Sequence, residues 1–106
     1  MLQNGKPYYD ENGEVLHAHG GWILPHDGIY YWYGEDRRDN TYVSCYKSRD
    51  LHTWTRCEPI LTTDTPCVHT DGHFDLRLRT VDGGKVNIER PKVLYNPKTK
   101  KFVLWA

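Results

Sequence analysis

The chain has 106 residues, enough for one small domain with a modest core. Its 14 basic and 14 acidic residues balance, which gives no reason to expect nucleic acid or an anionic membrane surface as partner. No apolar run reaches membrane-spanning length, and Met1 to Lys6 has no signal-peptide core, so the protein is either cytoplasmic or a secreted one whose first codons are missing.

Helical periodicity is nearly absent. Apolar residues come in short runs bounded by Gly, Pro, Asp and Asn, which predicts strands. Val15 to His17 reads as a short strand after the turn Asp10-Glu11-Asn12-Gly13. Gly21 to Leu24 is the next. Pro25-His26-Asp27-Gly28 is a turn in which Pro presets φ and Gly supplies φ > 0. Ile29 to Gly34 then returns antiparallel, and Glu35 to Asn40 is a charged loop. Thr41 to Lys47 alternates, with Tyr42, Ser44 and Tyr46 on one face and Val43 and Cys45 on the other. In Ser48-Arg49-Asp50-Leu51-His52-Thr53-Trp54 a polar tip is pinned by a Leu and a Trp. Trp54 to Ile60 is an outer strand, where Pro59 fits an edge and not a centre.

Leu61 to Lys85 is polar and long enough to be either functional or disordered. Val86 to Glu89 and Val93 to Tyr95 flank Arg90-Pro91. Asn96-Pro97-Lys98-Thr99-Lys100 turns the chain into Phe102 to Trp105. The expected architecture is all-β, one four-stranded antiparallel meander followed by the first hairpin of a second. The run Phe102 to Trp105 ends the chain as an exposed apolar strand, which natural termini usually avoid. The expectation is a truncated piece, or one completed by another chain.

Four Trp and eight Tyr make the chain unusually aromatic. Most of these rings are core, because aromatics form strands well; a minority suit stacking on sugar rings. Carboxylates at strand ends among such rings are the chemical candidates. Glu35 closes the aromatic strand and can accept bonds from sugar hydroxyls; a loop charge beside Asp36, Arg37 and Arg38 is its other reading. Glu89 stands beside Arg90, which either shares a site or forms a plain ion pair. His19 precedes Gly20-Gly21, where missing side chains allow close backbone approach. Trp32 and Tyr33 alternate, so one faces a ligand and the other the core.

Cys45, Cys57 and Cys67 form neither a complete disulfide framework nor a zinc ribbon. Cys45 reads as a buried small hydrophobe. A Cys45–Cys57 or Cys57–Cys67 bridge stays open. His17-x-His19 and Cys67-x-His69 with Asp71 and His73 lack a recognised ligand spacing, so no metal and no cofactor is expected. Gly83-Gly84 is a turn and not a phosphate loop, and Ser44 and Ser48 have no nucleophile-elbow context.

Three segments occur in order: Ala18-His19-Gly20-Gly21 through Tyr31-Trp32-Tyr33-Gly34-Glu35, then Val43-Ser44-Cys45-Tyr46-Lys47-Ser48 through Trp54, then Glu89-Arg90-Pro91-Lys92-Val93-Leu94-Tyr95-Asn96 through Trp105. Together they resemble glycoside hydrolase family 43, in its exo-β-1,3-galactanase-like branch. The resemblance implies a five-bladed β-propeller built of four-stranded meanders. This chain would supply the first one and a half blades: blade one at about 14–61, a loop at 62–85 and half of blade two at 86–106.

The resemblance also implies inverting hydrolysis of galactan-type or related plant polysaccharides, with a secreted or periplasmic location. Glu89 matches the supporting carboxylate that orients the general acid and raises its pKa. Glu35, His19, Trp32 and Arg90 would bind substrate. The stretch His17-Ala18-His19-Gly20-Gly21 carries no carboxylate where the family's usual base stands. No general acid is identified within these residues, so the chain alone is expected to be inactive. The competing expectation is a non-catalytic carbohydrate-binding module, or a piece that self-associates through open blade edges.

Overall fold

A computed structural model describes residues 5–66 and 82–106. Among these residues there is no helix; seven strands form two antiparallel sheets. In the larger sheet β1 (His19–His26) pairs with β2 (Ile29–Glu35), and β2 with β3 (Thr41–Ser48). The fourth position, against β3, is shared by β4 (Thr55–Arg56) and β5 (Leu61–Thr62). The second sheet is the hairpin β6 (Lys92–Asn96) and β7 (Lys101–Trp105). This is the expected propeller arrangement, a four-stranded meander and then one further hairpin.

The differences from expectation have local causes. The first turn is shorter than predicted. Pro25 lies inside β1 opposite Tyr30, where β1 is an edge strand with no ladder bond for its missing N–H to break. Only Asp27 and Gly28 turn, with φ of 50° and 78°, the signature of the two-residue hairpins that Asp-Gly favours. Val15 makes a single bridge to Tyr9 instead of a strand. The Asp10 carboxylate ties the intervening turn by accepting from the Asn12 and Glu14 amides at 2.9 and 3.0 Å.

The predicted outer strand is broken in two around Pro59. Its thread along β3 continues through single bonds, Cys57 N to Cys45 O at 2.9 Å and Ile60 N to Val43 O at 3.0 Å. Val86 to Glu89 forms no strand, although Val86 and Ile88 pack on the core.

The turn after β3 is pinned by side-chain hydrogen bonds in addition to the expected Trp, while Leu51 is only half-buried. Ser48 Oγ accepts from the Asp50 and Leu51 amides at 3.1 and 2.9 Å. The Asp50 carboxylate accepts from the amides of His52 and Thr53. Trp54 is fully buried at the turn's end.

The core comprises Tyr33, Tyr42, Val43, Cys45 and Val93, with Leu24, Leu61, Val86, Ile88 and Leu104 packed around it. The run Tyr42 to Tyr46 is buried throughout, so both faces of β3 are covered. Val93 comes from the hairpin, and its burial fastens that hairpin to the larger sheet. A second aromatic cluster sets Trp32 edge-on to Trp54 at 5.1 Å and to Tyr8 at 5.5 Å, a preferred ring geometry.

Candidate functional site

The site is organised by an irregularity at the start of β1. His19 pairs with Glu35 and Trp22 with Tyr33, so Gly20 and Gly21 together oppose Gly34. That extra residue is a β-bulge, a device that re-aims side chains and bends a strand. Each glycine is there for a reason. Gly20 adopts φ +55° and lies against Arg90. A Cβ on Gly21 would sit 2.5 Å from Tyr33 O and 2.7 Å from Trp32 Nε1. A Cβ on Gly34 would overlap the backbone of Ala18.

The bulge collects most of the predicted residues at one end of the sheet. His19, exposed, stands across the ladder from Glu35, which is only 5% exposed. Arg37 Nε donates to Glu35 Oε1 at 2.6 Å. The Glu35 hydrogen bond and charge raise the Arg37 pKa further, and the Glu89 charge adds to this. Glu89 is therefore within electrostatic reach of the Glu35–Arg37 pair. Glu89 and Arg90 are both exposed, and Arg90 holds a left-handed φ of 52° just before the buried Pro91. Lys92 Nζ reaches the Gly20 carbonyl at 3.3 Å and lies 5.8 Å from the Trp22 ring centre.

Trp32 stands somewhat apart. The strand period puts it on the opposite face of β2 from Tyr33 and Glu35. It shares with His19, Tyr8, Leu16 and Ala18 a small cleft of about 120 Å³. Tyr33 is the core member of that pair.

Asp36 is the residue that sequence reasoning passed over. It is 1% exposed and ion-paired to Arg38 Nη2 at 2.6 Å. Ser44 Oγ donates to the same carboxylate, and so does the Arg38 amide at 2.9 Å. Burial pushes the Asp36 carboxyl up, but the Arg38 and Ser44 bonds outweigh it and hold it at about 2. The charged segment is thus no solvated loop at its start. In extended chain, alternate residues face alternate sides, and here Glu35 pairs with Arg37 while Asp36 pairs with Arg38.

No family model matches the chain, and no curated protein does. Solved structures match it well. An exo-β-1,3-galactanase from Clostridium thermocellum aligns over 98% of this chain at 40% identity with a TM-score of 0.78. A family 43 β-1,3-galactosidase solved with galactodeoxynojirimycin aligns over 98% at 40% identity and a TM-score of 0.69. In sequence and fold the chain is similar to one part of the glycoside hydrolase family 43 exo-β-1,3-galactanases and β-1,3-galactosidases. An exo-β-1,3-galactanase from Phanerochaete chrysosporium, solved with galactose, aligns over 98% at 32% identity and a TM-score of 0.72. The chain spans 20%, 28% and 22% of the lengths of these three structures.

Among the described residues no three His, Cys, Asp or Glu side chains stand together as a metal would need. Cys67, His69, Asp71 and His73 lie outside the described residues. His17 is tied into the fold, its amide donating to Tyr46 Oη at 3.0 Å.

Proposed function

We propose that this chain forms one wall of the sugar site in a glycosidase acting on β-1,3-linked galactan or a related polysaccharide. The observation that carries this is the bulge at Gly20-Gly21, which sets His19 opposite Glu35 and draws Arg90 against Gly20. A carboxylate anchored by an arginine beside an exposed histidine offers fixed acceptors and donors for sugar hydroxyls. In this reading Glu35, His19 and Arg90 bind sugar, and Trp32 backs the cleft beside His19. Glu89 is the supporting carboxylate of an inverting hydrolase. Its negative charge would keep a neighbouring general acid protonated near neutral pH, and a water on the far ring face would be the nucleophile. The blade limits at about 14–61 and 86–106 belong to the same proposal. No residue of this chain is assigned as general acid, so the chain alone should not hydrolyse galactan.

The reading is tested by titrating the chain with β-1,3-galactobiose and following backbone amide shifts. Shifts confined to His19, Glu35, Glu89 and Arg90, lost in Glu35→Gln, support it. Shifts elsewhere, or none in a folded chain, refute the site. Hydrolytic activity of the chain by itself would refute the division of labour.

A second reading, self-association, is favoured by one observation. The β6–β7 hairpin exposes Leu94 (50%), Phe102 (50%), Val103 (40%) and Trp105 (66%).

A further inference from the structure

Two thiols lie outside the proposed sugar site, on the seam between β3 and the broken outer strand. The ladder pairs Tyr46 with Arg56, so the next pair outward is Cys45 and Cys57. The Cys57 amide donates to the Cys45 carbonyl at 2.9 Å, which confirms that the two residues face each other directly. In a hydrogen-bonded antiparallel pair the Cα atoms are about 5.5 Å apart and the side chains share a face. That separation falls inside the range of roughly 4.4–6.8 Å that disulfides span. Both cysteines are thiols in this structure; Cys45 is buried and Cys57 is half-buried.

We propose that Cys45 and Cys57 form a reversible cross-strand disulfide that fastens the outer strand to β3. The location gives the bond a purpose. The outer strand has only two short ladder segments, and Cys57 sits in the gap between them.

The chemistry is thiol–disulfide exchange with a small-molecule disulfide. The Cys57 thiolate, at the edge, attacks one sulfur of the oxidant and releases one thiolate. Cys45 then loses its proton, attacks Cys57 Sγ and expels the second thiolate. Two protein thiols are oxidised, one disulfide is reduced, and the two protons end on the two released thiols. The order follows from burial, which together with the neighbouring Cys57 pushes the Cys45 thiol up to about 12. A thiol buried out of the oxidant's reach resolves a mixed disulfide on its more exposed neighbour and does not start one.

The experiment uses the full chain with Cys67→Ser, incubated with oxidised glutathione, alkylated, and analysed by mass before and after reduction. The expected product has lost two hydrogen atoms, takes up no alkyl group, and yields a peptide linking Cys45 to Cys57. Cys45→Ser in the same background should instead retain one glutathione on Cys57. Alkylation of both thiols after oxidation, or a lasting glutathione adduct when Cys45 is present, overturns the proposal. Should Cys67→Ser fail to fold, peptide mapping of the unaltered sequence decides the matter: a Cys57–Cys67 link overturns it and a Cys45–Cys57 link supports it.

Discussion

Single residues carry the site, and three glycines rank themselves. Gly20 has room for a methyl group, with Arg90 no nearer than 3.6 Å, but its φ of +55° disfavours any side chain. Gly20→Ala should cost about 1–2 kcal/mol. Gly21→Ala drives a Cβ into two carbonyl oxygens and an indole edge, and should cost about 3 kcal/mol. Gly34→Ala meets backbone alone and should leave little folded protein. Denaturant midpoints in that order check the argument; equal losses at the three positions would contradict it.

Asp36 makes a pH prediction. Its carboxyl is held near 2 when folded against an ordinary 3.8. The folded value is depressed, so the stabilisation is fully present above about pH 4 and fades as pH falls toward 2. It amounts to on the order of 2 kcal/mol. Asp50 is also depressed, by backbone bonds from Thr53 and His52, so wild type alone cannot isolate Asp36. The stability gap between wild type and Asp36→Asn should narrow as pH drops from 5 to 2; a constant gap would show that the charge contributes nothing.

Part of this was legible beforehand. Glu35, His19 and Arg90 stood out as polar groups at strand ends and beside glycines. Asp36 did not, because Ser44 becomes its partner only after β2 and β3 pair. A usable signal was nevertheless present: two acids followed by two bases pair at i and i+2 in extended chain.

At the scale of elements, alternation proved a sounder guide to faces than to ladders. Val86 and Ile88 face the core while Asn87 and Glu89 are exposed, as the alternation requires. Yet no strand forms there, since alternation reports which side is covered and not whether a neighbouring backbone is in reach. The hairpins were legible because Asp27-Gly28 and Asn96 to Lys100 carry their own turn chemistry. The Asn96 side chain accepts from the Lys98 amide at 3.0 Å, and Lys100 takes φ 56°. The split of the outer strand was half visible, in that Pro59 marked an edge but not where pairing would resume. The turn after β3 offers the test at this scale. Ser48→Ala removes an acceptor shared by two amides and should lower stability by about 1–2 kcal/mol. Unchanged thermal unfolding would mean that the Asp50 carboxylate holds the turn alone.

For the molecule as a whole, the question is what holds the hairpin and what it offers. The described residues form a thin body, 44 × 38 × 20 Å. Val93 is 3% exposed and joins the hairpin to the main core, while the His26 ring packs tilted against Tyr95 and edge-on to Phe102, with ring centres 4.4 and 5.0 Å away. Val93→Ala should cost about 2–3 kcal/mol and should raise amide exchange in β6 and β7 before it does so in β3. The exposed face of the same hairpin predicts concentration-dependent association, weakened by Trp105→Ser. Sedimentation showing a monomer at every concentration would remove the self-association reading and leave the carbohydrate reading untouched.

The crowding at Gly34 has a consequence for how this sequence can vary. The atoms a side chain would strike belong to the main chain of Ala18, so no smaller residue at position 18 can make room. A compensating change would have to alter chain length near Gly20-Gly21. Removing one residue there restores an even ladder in which His19 still faces Glu35, but it abolishes the bulge that sets Gly20 against Arg90. In a saturation scan, position 34 should therefore reject every side chain. Any suppressor recovered should be a deletion or insertion near Gly20-Gly21 that restores folding.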